Sequence, residues 1–456
     1  MNHRIRVLAG AVALSISSTV NAAQKPEEIR QLGTSLLPWG AEKAGNAAGT
    51  VPAYTGQVKV PAAYDPKKPG IRPDPFADEK PLLLIDAKNM EQHAGRLSPG
   101  VMAMMRKYPS FRIDVYPSHR TMVYPKWVQD NSIKNATSCQ AVNNNLTLKG
   151  CYGGVPFPIP KSGSEVMWNH VVKYSAPESW TGRFQTWVVG GSNAPTLQAD
   201  QVAAYNSPFF DEKREGPNPE GTDFFQFRAD MTGPARRAGE KLLILESTAM
   251  GPGGTRVWQY LPGQRRVKLS PDLAYDTPNP QSGGASTMDD ARAFAGALDR
   301  FDFKLIGKKE MYIPYNTFKM QAGGQCSNAQ LMTPKHLNPD CVRWELHRVW
   351  VVEGVPKQGV RHIYSKRIMY FDEDAPGAGI SDGYDAVGKP YRVNMVFPYP
   401  FYEAPAQATD RFASFDLATG TYNEAVGATE TGGWYLIGRK PSSYYTSDSL
   451  AASGVR

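Results

Sequence analysis

Two histidines are the residues best suited to acid–base chemistry. His170 sits in Trp168-Asn169-His170, and His347 follows Glu345 by two positions in an alternating run, so a strand would put both on one face. Neither is accompanied by a nucleophile or a metal-ligand set. The chain has no nucleophile elbow, no His-Glu-x-x-His and no Gly-x-Gly-x-x-Gly. Gly383-Tyr384-Asp385-Ala386-Val387-Gly388-Lys389-Pro390 has phosphate-loop spacing. Pro390 replaces the hydroxyl that would hold magnesium, however, and a strand follows where helix amides are needed, so the segment reads as a hairpin turn. Asp372-Glu373-Asp374 lacks the regularly spaced further ligands of a calcium loop and reads as turn chemistry at a strand end. These patterns call for no catalytic residue, metal or cofactor.

Large apolar side chains are what remain. Trp168, Trp187, Trp258, Tyr260, Trp344, Leu346, Trp350 and Phe371 form a stripe of the kind that more often builds ordinary core, with the wall of a ligand cavity as the second reading, since both are built from such residues. Four cysteines fall into two local pairs, Cys139 with Cys151 and Cys326 with Cys341, each bracketing a polar loop. In an exported chain this is the spacing of two disulfides, each worth about 3 kcal/mol in the chain-entropy model. Zinc competes poorly, because no pair has Cys-x-x-Cys spacing and histidine is scarce.

The elements that must position these residues are mostly strands. Trp344 to Glu353 alternates, with Trp344, Leu346, Trp350 and Val352 on one face. His362 to Phe371 and Tyr391 to Phe397 follow after short turns, which favours an antiparallel meander. Further strands are expected at Glu165 to Tyr174, Gly182 to Val189, Phe224 to Ala229, Lys241 to Glu246, Thr255 to Leu261 and Arg265 to Leu269. More follow at Phe303 to Ile306, Lys309 to Ile313 and Phe412 to Leu417. A helix over 288–300, capped by Thr287 with Asp290 three residues on, should cover one side of the sheet through Phe294 and Leu298. Residues 24–164 are rich in Pro and Gly and should strap the body at 165–456, carrying short helices at Asp86 to Arg96 and from Ser98-Pro99 to Lys107. A polar tail ends the chain. The expected fold is mainly β, a strongly curved antiparallel sheet or unclosed barrel with covering helices.

Compartment follows from the first residues. Arg4 and Arg6 precede an apolar run, Val7 to Leu14, and small residues follow at Ala22 and Ala23, so 1–23 reads as a cleaved signal peptide. The run is too short to span a membrane. No cysteine adjoins the cleavage site, so a periplasmic, not lipid-anchored, product is expected. Removing the two arginines lowers the formal charge from +8 to +6, with basic and acidic residues mixed and no basic block for nucleic acid.

Several ordered segments resemble the proteobacterial family known as domain of unknown function 1329. They are Gly40 to Asn46, Val51 to Gly56, Asp114 to Arg120, Gly153 to His170, Pro262 to Val267, Lys308 to Asn316 and Tyr364 to Arg367. The resemblance implies a larger relative of the LolA/LolB lipoprotein carriers, in which a curved sheet holds acyl chains. It also implies partners, an outer-membrane β-barrel protein and an exporter of the resistance-nodulation-division (RND) type. The function expected is a periplasmic carrier for a lipid, sterol-like molecule or acyl chain. The alternatives are a cell-envelope hydrolase using His170 or His347, and a structural partner of an outer-membrane protein.

Overall fold

The computed structural model describes residues 25–454 apart from 57, 177–178, 192–193 and 252–253. The signal peptide expected over 1–23 lies outside the described residues. The amino-terminal segment carries α1 (Pro26–Ile29), β1 (Leu83–Ile85), α2 (Pro99–Lys107), β2 (Ile113–Val115), α3 (Lys126–Ser138) and the hairpin β3 (Gln140–Val142) and β4 (Thr147–Lys149). After α4 (Gly163–Val171) come β5 (Ser179–Val189), β6 (Pro195–Asn206), β7 (Asp223–Gly233), β8 (Lys241–Ser247), β9 (Thr255–Leu261) and β10 (Arg266–Leu269). The next strands are β11 (Phe301–Pro314), β12 (Arg343–Pro356), β13 (Lys366–Asp372), β14 (Gly379–Tyr384) and β15 (Pro390–Val396), with α5 (Asn328–Leu331) between β11 and β12. The chain ends with β16 (Tyr399–Pro400), β17 (Gln407–Ala408), β18 (Phe412–Asp416), β19 (Tyr422–Gly427), β20 (Tyr435–Ile437) and α6 (Ser447–Gly454).

Sixteen of these strands join one sheet in the order β1-β2-β12-β13-β14-β15-β18-β19-β5-β6-β7-β8-β9-β10, with β11 on β12 and β20 on β5. Its two ends do not pair, so the barrel is unclosed, as the sequence leads one to expect. All pairs are antiparallel except β2 with β12, which makes the sheet mixed. Both faces are covered where β12 runs, and Arg343 to Val349 are all buried.

Four expectations change. Glu165 to Tyr174 is not a strand: Ser162 accepts a hydrogen bond from the Glu165 amide at 3.2 Å and Glu165 accepts one from the Lys161 amide, a capping arrangement that starts α4. The run behind it, Val166 to Val172, is apolar except for Asn169 and His170 and has no period that separates helix from strand. The helix over 288–300 is only a short 3₁₀ segment, Met288–Ala293, because Ala291 is extended and Arg292 is left-handed at φ 56°. Phe294 and Leu298 are nonetheless buried on the sheet. The helix expected from Asp86 to Arg96 is likewise 3₁₀, over Met90–Arg96. The tail is not merely polar: α6 presses Leu450 onto Ala204, Leu243, Leu245 and Tyr260 on the outer face.

The strap is held by charge. Arg120 grips Asp374 through two bonds of 2.7 and 2.8 Å and reaches the Glu42 carbonyl at 2.7 Å. Lys308 bridges Glu42 and Glu373 at 2.9 and 2.8 Å, and Arg348 donates to the Ala44 carbonyl. Asn46 donates to Glu310 at 2.8 Å. Gly40 has φ 93° and lies so close to the Pro158 carbonyl that a Cβ would sit 1.6 Å from its oxygen, so only glycine fits there. Cys139 pairs with Cys151 and Cys326 with Cys341.

Candidate functional site

Cross-strand register builds one apolar wall. Tyr205 on β6 pairs with Phe227 on β7, Phe227 with Ile244 on β8, and Ile244 with Val257 on β9, so these side chains share the face that lines the cavity. A second row runs Phe225, Glu246, Thr255. Phe184 on β5 faces the same space. The connection between β10 and β11 lies over this wall as a lid, contributing Leu273, Tyr275, Met288, Ala291 and Ala295. Between wall and lid is a cavity of about 90 Å³.

Charge collects at one side of the cavity. Arg292 points from the lid, its guanidinium 4.0 Å above the Phe225 ring, with Glu246 and Asp410 each 3.6 Å away. A smaller chamber of about 30 Å³ shares Tyr205, Phe225 and Asp410 with the main cavity and is lined by Lys173 and Trp180. Burial and the nearby Arg292 push the Lys173 amine down to about 8. Burial raises the Glu246 carboxyl, against the pull of Arg292 and Lys173.

None of the eight expected wall residues lines this cavity. Trp258 and Tyr260 lie on the opposite face of the sheet, because Trp258 pairs with Leu243 and not with Ile244; both pack with α6. Trp168 is fully buried on α4 and donates to the Asn145 carbonyl at 2.8 Å. Trp187 is half-buried on β5. Trp344 and Leu346 are buried, while Trp350 is half-buried with the Lys308 ammonium 4.8 Å from its ring. Phe371, paired with Trp350, is stacked against His170 of α4 at 3.8 Å, so helix covers it where a ligand was expected.

Both histidines are engaged in the interior. The His170 ring nitrogens lie 2.8 Å from the Pro376 carbonyl and 2.9 Å from the Phe294 carbonyl, and burial, with Lys173 nearby, pushes its pKa down to about 3. The neutral ring donates to one of these carbonyls. The ring thus sits between α4, the lid at Phe294 and the turn after β13 at Pro376. His347 does share a face with Glu345: it stands 3.1 Å from Glu345 and 3.2 Å from Asp372, stacked on Tyr315 at 3.9 Å. Burial alone would lower its pKa, but the Asp372 and Glu345 carboxylates outweigh that and raise it to about 9. His347, Asp372 and Asp374 are close enough to share a metal ion. Their charges are already balanced, by the imidazolium itself and by Arg120 on Asp374.

The lid is anchored by a second ion-pair hub. Asp290 is buried and accepts from Arg392 at 2.8 Å, Asn394 at 3.0 Å, the Tyr364 hydroxyl at 2.8 Å and the Thr287 amide at 3.0 Å. Arg367 reaches the Asp289 carboxylate at 3.1 Å and the Ala293 carbonyl at 2.8 Å. Sequence reading missed the wall residues Phe184, Tyr205, Phe225 and Phe227, and the charges Arg292 and Asp410. The Phe225-x-Phe227 alternation was a signal for two of them; β6, which supplies Tyr205, was not expected at all.

The family model described as "Protein of unknown function (DUF1329)" matches residues 84–451. An uncharacterized protein of Pseudomonas aeruginosa is 36% identical over 469 residues, covering 99% of both chains. Among solved structures, a DUF1329 family protein from Desulfovibrio piger superposes with a TM-score of 0.38 at 13% identity, covering 61% of this chain and 93% of that one. A LolA superfamily protein from Nitrosomonas europaea superposes with a TM-score of 0.36 at 9% identity, covering 64% of this chain and all of that one, 100%. At such scores the unclosed sheet described above, and not the superposition, defines the fold. On the family match and the full-length relative, the chain belongs to the DUF1329 family.

Proposed function

We propose that the protein is a carrier that holds a hydrophobic ligand, a lipid, sterol-like molecule or acyl chain, between the apolar wall and the lid. The observation that carries this reading is the lidded aromatic cavity. An apolar space with few polar groups is the usual form of a small-molecule site. The cavity's 90 Å³ is below the roughly 300–1,000 Å³ of drug-sized ligand sites, so a ligand of that size lifts the lid as it binds. We place this activity in the periplasm, on the signal-like residues 1–23, with an outer-membrane barrel protein and an RND-type exporter as the proposed partners. A hydrolase reading has less support, because neither His170 nor His347 lines the cavity.

Titration of the delipidated protein with a fluorescent apolar probe tests this. Saturable binding with quenching of Trp emission is expected, since Trp180 stacks on Tyr205 at 4.2 Å beside the cavity. Ala295→Phe puts a ring into the cavity and should weaken binding about tenfold or more with little change in Tm. Trp344→Ala removes a buried ring away from the cavity, so it should cost about 3–5 kcal/mol of stability and leave affinity unchanged. Tight binding that Ala295→Phe does not alter would move the ligand elsewhere.

A further inference from the structure

Among the described residues, neither of the two cations at the cavity, Arg292 and Lys173, has a side-chain hydrogen bond. Arg292 stands 3.6 Å from each of Glu246 and Asp410, within ion-pair range but beyond hydrogen-bond length. Guanidinium carries five donors in a planar fork suited to two-point recognition of carboxylate or phosphate. Its backbone is held in the left-handed region at φ 56°, which turns the side chain from the lid into the space above Phe225. Lys173 lines the adjoining chamber. Lys173 is half-buried and lines two small chambers, one with Trp180 and one with Tyr124.

The acids balance these charges without occupying the guanidinium donors. Glu246 already accepts the Gly296 amide, and burial shifts it toward its neutral form. Neither Glu246 nor Asp410 comes within hydrogen-bond length of the Arg292 guanidinium, so its donors stay open to a further oxygen ligand. We propose that the cavity takes an amphiphile with an anionic oxygen headgroup, carboxylate or phosphate, seated on Arg292 with Lys173 behind it and the chain lying on Phe184, Phe225 and Phe227. The inference rests on the carrier reading and names its ligand class.

The test is competition for the bound probe on the delipidated mature protein. The competitors share one oleyl chain, ending in a carboxylate, a phosphate monoester, an alcohol or an amine, all below their micelle concentrations. One or both anions should displace the probe at about 10- to 100-fold lower concentration than the alcohol, the worth of one hydrogen bond to a charged group. Which anion leads separates a fatty-acid source from a phospholipid-like one. Arg292→Gln should bring the leading anion to within about threefold of the alcohol. Lys173→Met, which leaves the Arg292 ion pairs in place, should reduce the preference in the same direction if the first variant folds poorly. Equal displacement by anions and alcohol, or strongest displacement by the amine, overturns the headgroup assignment and leaves the carrier reading standing. Displacement by none of the four overturns the carrier reading itself.

Discussion

His347→Leu is expected to lower stability by about 3–5 kcal/mol near neutral pH, because it leaves Glu345 and Asp372 buried with their shared cation removed. Arg343 stays beside Glu345, so the loss falls mainly on Asp372. The pH dependence has a definite sign. The pKa of His347 is raised to about 9 in the fold, against about 6.5 in the unfolded chain. Its contribution is therefore complete below about pH 6.5 and disappears as the pH climbs through about 9. Denaturant unfolding of wild type and variant, taken as a difference at each pH, isolates this group. The difference also cancels Lys173, whose lowered pKa acts in the opposite direction. A gap between the two proteins that is as wide at about pH 10 as at about pH 6 would show that the imidazolium is not the stabilising species. Probe binding at matched folded concentration should be unchanged. A folded His347 variant that loses all ligand turnover would instead favour a hydrolase.

Asp290→Ala is expected to have a loss of similar size, about 3–5 kcal/mol, since it leaves the buried Arg392 with only the Asp416 carboxylate, at 3.3 Å, and removes the acceptor of the Tyr364 hydroxyl. Burial would raise the Asp290 pKa, but Arg392 and Arg367 hold it at about 2. This stabilisation is present above about pH 3.8 and is lost as the pH falls through about 2, the opposite window from His347. The effect should also be local. The hub is the lid's attachment to β13 and β15, so hydrogen exchange over residues 286–296 should accelerate more than over β12. Uniform acceleration across both regions would mean that the hub supports the whole sheet and does not fasten the lid in particular.

The open sheet was legible because its strands carry strong local signals. Alternation placed β12 with Glu345 beside His347, and the phosphate-loop look-alike proved to be the turn between β14 and β15. Cysteine spacing indicated the two pairs seen in the fold. The cavity was much less legible, for a physical reason. A residue's face depends on register across four strands, and a single position decides it: Val257 faces the cavity, while the larger Trp258 beside it faces α6. Ring size drew attention to the tryptophans, yet their bulk is used in core and outer packing. Helix α4 was hidden because every position in it is buried or nearly so, which erases the helical period. Arg292 could not be found from sequence, since its role depends on a left-handed turn that breaks the expected helix. The segments that carried the family resemblance had no evident chemistry because several of their residues are fasteners: Glu42, Arg120 and Lys308 hold the strap, and Tyr364 and Arg367 hold the lid.

Native mass spectrometry of the protein purified from its own cells is the most direct test of the central claim, that the lidded cavity carries a hydrophobic ligand. Wild type should retain a co-purifying amphiphile as a discrete mass increment that organic extraction removes, and Ala295→Phe, purified identically, should lack it. Repeated absence of any increment on wild type, together with failure of the delipidated protein to bind the apolar probe, would contradict the carrier account.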